Sequence, residues 1–214
     1  MVLADFLQDD IGKESQVNSV RDSLGLISRS AKSTNQLLDN LLNWALMQLG
    51  TFKPTFQDLD LKKCLQDSTD IYISKAASKD LEINLNVPSV TLSADKNMLS
   101  IVFRNLISNA IKFSNKGSTI DIDFEDGEEA VSILFRDHGI GISEEMRERL
   151  FDPDDRPNRQ GTDQEESSGL GLLLCKDAVT LHGGEIVVES EENQGSTFIV
   201  QLPKEQQLVP SQLA

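Results

Sequence analysis

The chain has 214 residues, 38% of them apolar and 26% charged, with a formal net charge of −15 at pH 7. No apolar run approaches the ~20 residues that span a bilayer. The amino terminus, MVLADFLQDD, lacks the basic flank and apolar core of a signal peptide, so a cytoplasmic setting is expected, which leaves open a longer, membrane-anchored parent. The acidic balance opposes general attraction to nucleic acid or anionic membrane, and equally to any polyphosphate ligand. A polyphosphate site here must therefore rely on local donors, a helix amino terminus and a divalent metal. Cys64 and Cys175 match no metal-ligand spacing and read as free thiols.

From Val17, the positions Val20, Leu24, Ile27, Ala31, Leu38, Leu41, Ala45 and Leu49 step by three and four, with Thr34 filling the gap. This heptad seam predicts one long helix ending near Gly50, and a seam of that length calls for a partner helix, so self-association through residues 17–49 is expected. Three regions are expected: 1–50 as a partial helix hairpin, 51–203 as the globular domain and 204–214 as a disordered tail. Within the domain, Leu59 to Ser78 reads as a helix. Alternation in Leu81 to Val87 and Val90 to Ser93 reads as strands. Asp95 to Phe113 is a second helix, capped by Ser93 or Asp95 and ended by Lys116-Gly117. Strands follow at Thr119 to Phe124 and Ala130 to Arg136. The stretch Asp152 to Ser168 has no apolar side chain and reads as a mobile loop. A helix from Leu170 to Leu181 and strands at Glu185 to Ser190 and Thr197 to Leu202 complete a two-layer α+β sandwich, one face of a mixed sheet covered by helices.

Four short segments carry candidate chemistry. In Asn105-Leu-Ile-Ser-Asn109-Ala-Ile-Lys112-Phe113, positions 105, 109 and 112 share one helix face. Amide oxygens suit Mg²⁺ and a lysine suits phosphate, though a solvated polar face explains the stripe equally well. Asp137-His-Gly139-Ile-Gly141-Ile follows a strand. Its glycines allow close backbone approach and its carboxylate can accept from an exocyclic amine such as adenine's, while a plain strand-to-loop turn is the simpler explanation of the motif alone. Ser168-Gly169-Leu170-Gly171-Leu172 opens a helix and offers unpaired N–H groups to an anion, or is merely a flexible lead-in. Gln194-Gly-Ser-Thr197-Phe by itself is a hairpin turn.

Taken in order, with Leu150-Phe151 between the second and third, these segments resemble the boxes NLxxNAxKF, DxGxGI, LF, GxGL and GxGSTF of the catalytic domain of sensor histidine kinases. That domain lies within the wider ATPase superfamily shared with gyrase, mismatch-repair ATPases and a major chaperone. The likeness covers Phe52 to Pro203, and LLDNLLNWALMQLG resembles the second helix of the family's dimerisation hairpin. The resemblance implies a protein histidine kinase that binds Mg-ATP, forms a homodimer and serves a response-regulator receiver domain, with no nucleic acid and no direct membrane contact. It also implies residue roles. Asn109 would coordinate Mg²⁺, Asn105 assist at the γ-phosphate, Lys112 contact phosphate and Phe113 stack near the ribose or base. Asp137 would accept from the adenine amino group, with Thr197 beside it. Gly139 and Gly141 would shape the base pocket, Phe151 anchor the start of a lid, and Gly169, Leu170 and Gly171 bring lid and helix terminus to the phosphates. The metal and these donors together would suffice for phosphoryl transfer.

The family's phosphoacceptor histidine box does not precede Val17. Only His138 and His182 are present, and neither is expected to be phosphorylated, so the γ-phosphate would pass to a histidine absent from this chain. The chain as written is therefore expected not to autophosphorylate, whether by truncation or natural loss. His138 stands where the family most often has asparagine, and Ser167 and Ser168 where glycine and threonine are usual. A silent nucleotide-sensing and dimerisation module is the alternative reading. A gyrase-like ATPase has less support, because Phe103 and Arg104, not a glutamate, precede Asn105.

Overall fold

The computed structural model describes residues 54–152, 161–163 and 170–204, together with ten helical positions between Leu24 and Leu46. The chain divides into two compact units, Met1–Leu42 and Asn43–Ala214. In the first region the described seam positions are helical, and Leu24, Ile27, Leu38, Leu41 and Leu42 expose their side chains. The described residues define no continuous helix over the whole predicted seam. The tail after Lys204 and, within the stretch read as a mobile loop, residues 153–160 and 164–168 lie outside the described residues.

The domain opens with strand β1 (Gln57–Asp60), helix α1 (Leu61–Asp70) and helix α2 (Ile73–Ser78). The single helix expected from Leu59 to Ser78 is thus corrected at both ends of its first half. Leu59 is a buried strand residue paired with Leu92 of β3 (Thr91–Ala94), and Asp60 caps α1 by accepting from the Lys63 N–H. The break at Ile71-Tyr72 follows Ser68 and Thr69, whose hydroxyls donate back to the carbonyls of Cys64 and Leu65. Such back-bonding weakens and bends the last turn of a helix.

Strand β2 (Glu82–Asn86) runs parallel to β4 (Thr119–Asp126). Strands β5 (Ala130–Asp137), β6 (Glu185–Glu191) and β7 (Gly195–Pro203) complete an antiparallel run, giving a five-stranded mixed sheet of order β2-β4-β5-β7-β6. Between β3 and β4 lies α3 (Lys96–Phe113), with α4 (Glu144–Arg149) and α5 (Leu170–Leu181) after β5. Helix α3 buries Met98, Leu99, Val102, Phe103, Leu106, Ile107, Ala110 and Ile111, a three-and-four pattern that lays one stripe on the sheet. It meets Ile120, Ile122, Ile133 and Phe135, with the Phe103 and Phe135 rings 5.8 Å apart. The other face of the sheet carries Leu134, Ile199 and Val187 near its centre and is polar toward β2. There Asn84 donates to Asp121 and Asn86 to Asp123, which also takes Arg136. This is the α+β sandwich expected from the segregation of helices and strands.

One buried histidine fixes where α3 begins. Asp95 is its N-cap, accepting from the N–H groups of Asn97 and Met98. The Asp95 N–H in turn donates to His182 Nε2 at 3.0 Å, and His182 Nδ1 lies 2.7 Å from the Ala178 carbonyl. Nε2 must be the acceptor, so Nδ1 carries the proton and the ring is neutral. Among the described residues no helix is long and apolar enough to cross a membrane.

Candidate functional site

The site grows from the polar stripe of α3 and from three segments that close on its ends. Asn105 and Asn109 are half-buried, one turn apart, and the Asn105 side-chain amide donates to the Ile101 carbonyl at 2.9 Å. That bond leaves Oδ1 of Asn105 aimed at the start of α5. A Cβ at Gly171 would stand 2.5 Å from this oxygen, so the glycine is what lets the helix terminus approach Asn105. Lys112 is buried, with Nζ 5.0 Å from the centre of the Phe113 ring. The cation rests on the ring's negative face.

The loop after β5 seats directly on the carboxyl end of α3. Ser114 and Gly139 form a β-bridge, and the Ile140 N–H donates to the Phe113 carbonyl at 3.2 Å. A Cβ at Gly139 would collide with that carbonyl oxygen. Gly141 has φ of +59° and packs equally closely on the Glu191 carbonyl, a backbone conformation that favours glycine. The close approach made possible by these two glycines is therefore to the protein's own backbone. Gly139→Ala is expected to cost about 1–3 kcal/mol, as overpacking does, and to lower the denaturation midpoint measured with urea.

Asp137 is 5% exposed, and the largest influence on its carboxyl is that burial, which pushes the pKa up to about 6. The N–H groups of Gly139 and Ser196, the Ser196 hydroxyl and the neighbouring His138 act the other way. The sheet register pairs Asp137 with Ser196, and Thr197 with Arg136. Side chains alternate along β7, so Ser196 shares the face of Asp137 and Thr197 takes the opposite face. The position expected for Thr197, beside Asp137, is held by Ser196. Behind it, the Ser190 hydroxyl bonds Ser196 Oγ at 2.9 Å and accepts from the Ile142 N–H. Neither serine was legible in the sequence, since only strand register identifies them.

Of the remaining expected site residues, Leu170 is buried at the start of α5, and Phe151 is half-buried with Lys176 Nζ 5.7 Å from its ring centre. Gly169 lies outside the described residues. His138 is exposed, its Nδ1 3.1 Å from the Thr119 carbonyl, and His182 is buried with both ring nitrogens engaged. Ser114, between Phe113 and the bridge to Gly139, has a buried hydroxyl with no partner among the described residues.

Fold and site together define a two-layer α+β domain with a buried acceptor carboxylate set against an amide-and-lysine helix stripe, an ATPase-type arrangement. Residues 94–206 match the family of histidine kinase-, DNA gyrase B- and HSP90-like ATPases, and the chain belongs to that family as an ATP-binding domain homologous to the sensor histidine kinases of two-component systems. Sensor protein SrrB of Staphylococcus aureus is 29% identical over 194 residues, which are 90% of this chain and 33% of that protein. The chain thus spans about a third of the length of the curated relatives it matches. Among solved structures, the catalytic domain of histidine kinase ThkA is similar at 26% identity and a TM-score of 0.62, over 72% of this chain and 99% of that one. The Acinetobacter baumannii histidine kinase AdeS shares the fold, with a TM-score of 0.69 at 20% identity over 82% and 80% of the two chains.

Proposed function

We propose that this domain binds Mg-ATP and transfers its γ-phosphate to a histidine absent from this chain. The observation that carries the reading is the meeting of three features around α3. These are a buried carboxylate oriented by Gly139 and Ser196, a face bearing Asn105, Asn109 and Lys112, and a helix terminus brought against Asn105 by Gly171. Asp137 accepts from the adenine amino group with Ser196 beside it, and Phe113 lies near the base or ribose. Lys112 neutralises phosphate, and the N–H groups opening α5 near Leu170 and Gly171 face the same anion.

Among the described residues no group of three or more His, Cys, Asp or Glu could hold a metal. That suits Mg²⁺, which keeps much of its shell as water and substrate phosphate, so that Asn109 supplies one amide oxygen and the ion neutralises developing charge. Asn105 positions the γ-phosphate. Exposed Leu24, Ile27, Leu38, Leu41 and Leu42 support a homodimer through residues 17–49, and a receiver domain is the proposed recipient of the phosphoryl group.

Radiolabelled ATP tests the reading. This chain, mixed with a hairpin carrying an acceptor histidine, should label the hairpin and not itself, since His182 is engaged at both nitrogens. Transfer should be slow because the two parts are untethered. Label on His138 or His182 would overturn the acceptor assignment. Calorimetric Mg-ATP binding without any transfer would favour the nucleotide-sensing module instead.

A further inference from the structure

A second polar cluster sits at the carboxyl end of α3 and plays no part in the phosphate contacts above. Lys79 follows α2, and Asp80, with φ of +54°, turns the chain into β2. The Gly117 N–H donates to the Lys79 carbonyl, which holds this corner against the end of α3. The Lys79 side chain is 5% exposed. Its ammonium donates to the Ile111 carbonyl at 2.9 Å, to the Lys112 carbonyl at 3.2 Å and to Thr162 Oγ1 at 2.7 Å, with Asp163 Oδ2 at 3.8 Å. Thr162 is bound to the same helix end. Its N–H donates to the Lys112 carbonyl at 3.1 Å, and its hydroxyl lies 3.1 Å from that carbonyl and 3.0 Å from that of Ser114.

A buried ammonium needs a full set of acceptors, and a helix carboxyl terminus supplies carbonyls together with the negative end of its dipole. Capping α3 would account for two of the Lys79 bonds. The third reaches a residue 83 positions later in the chain, in the segment that separates Phe151 from α5. This bond joins three elements at the peptide of Lys112.

We propose that Lys79 is a positioning residue of the nucleotide site, its ammonium clipping Gly161–Asp163 onto the last turn of α3 and fixing the backbone from which Lys112 and Phe113 project. The inference rests on the Mg-ATP reading for its functional consequence, although the clip itself does not. Holding Gly161–Asp163 against the end of α3 sets the Lys112 and Phe113 backbone before the ligand arrives, so the clip acts on affinity.

Thr162→Val removes the hydroxyl and keeps the shape. In the full chain it should weaken Mg-ATP binding about three- to tenfold by calorimetry and, because the Lys79 ammonium loses one of its acceptors, lower the melting temperature by a few degrees without unfolding the domain. Lys79→Met should weaken binding at least as much, Lys79→Arg should recover part of the loss, and the Lys79→Met/Thr162→Val pair should bind no more weakly than Lys79→Met alone. Parental affinity in Thr162→Val, or losses that multiply in the pair, would overturn the proposal. Should Lys79→Met not fold, Thr162→Val decides. Should the parent chain itself fail to bind Mg-ATP, the nucleotide reading fails. Hydrogen exchange at the Thr162 amide then still tests the clip, which requires slow exchange in the parent and faster exchange in Lys79→Arg. Equal rates in the two would refute it.

Discussion

Asp137→Asn is expected to weaken Mg-ATP binding about 10- to 100-fold while leaving the domain at least as stable as the parent at pH 8. The first effect follows from replacing a charged acceptor, whose hydrogen bonds are worth about 1.5–3 kcal/mol, by an amide that can present a donor to the adenine amine. The second follows from linkage. Burial raises the Asp137 pKa from 3.8 to about 6, so the folded state holds this proton more tightly than the unfolded chain. A raised carboxyl pKa favours folding fully below about 3.8 and loses that contribution as pH rises through about 6. Above that pH the native domain carries a buried carboxylate at a cost, which the neutral asparagine removes. Calorimetry and urea denaturation on the same two proteins check both halves. Unchanged affinity would take Asp137 out of the site. In the parent, Mg-ATP affinity should also decline as pH falls through about 6, where the acceptor is protonated.

The arrangement explains why a site can sit on a fold that it destabilises. Such a carboxylate keeps its strength as an acceptor because water is excluded, and the Gly139 and Ser196 donors hold it in place without neutralising it. A chain with net charge −15 has no long-range field to attract a polyphosphate. On the proposed reading, recognition comes from short-range, directional groups such as Asp137, Asn105, Asn109 and Lys112.

Much of this was readable from the sequence for identifiable reasons. The α3 stripe follows from helical spacing and the start of α3 from its Asp95 cap, whereas the helix ends at its Ser114 cap, three residues before Gly117. What escaped depends on long-range register. Ser196, not Thr197, stands beside Asp137 because the register pairs it there, and one residue along a strand exchanges its faces. Lys79 and Thr162 are 83 positions apart, and no local pattern joins them. Helix α4 was missed for a different reason. It has six residues and buries none, so it leaves no apolar periodicity, although the Ser143 cap, Glu144 and Glu145 in the first turn and Arg147 and Arg149 in the last were available as signals. The split of Leu59 to Ser78 into β1, α1 and α2 left a trace too, in the loose spacing of Ile71 and Ile73, which are both exposed.

His182→Ala should be the most destabilising of the substitutions considered, at about 3–5 kcal/mol. The ring is 1% exposed, stands edge-on to Phe56 with centroids 5.4 Å apart, and bonds the Asp95 N–H and the Ala178 carbonyl. Alanine leaves a cavity and two buried backbone groups without those partners, losses of about 1–3 kcal/mol for each unsatisfied group that do not simply add. One of the two is the N–H of the residue that caps α3, so the damage should reach Asn105 and Asn109 through the start of their helix. The parent should also show a pH signature. Burial lowers the His182 pKa below 6.5, against smaller opposing effects of the Ala178 carbonyl and Asp95. The unfolded chain then binds the proton first as pH falls, so this contribution to stability is complete above about 6.5 and is lost progressively below it. Asp137 works in the opposite sense between about 3.8 and 6, so the comparison is best made in the Asp137→Asn background. There, urea midpoints should fall from pH 7.5 to pH 5.5, and adding His182→Ala should flatten that decline. An equally steep decline without His182 would show that another group sets the acid sensitivity of the domain.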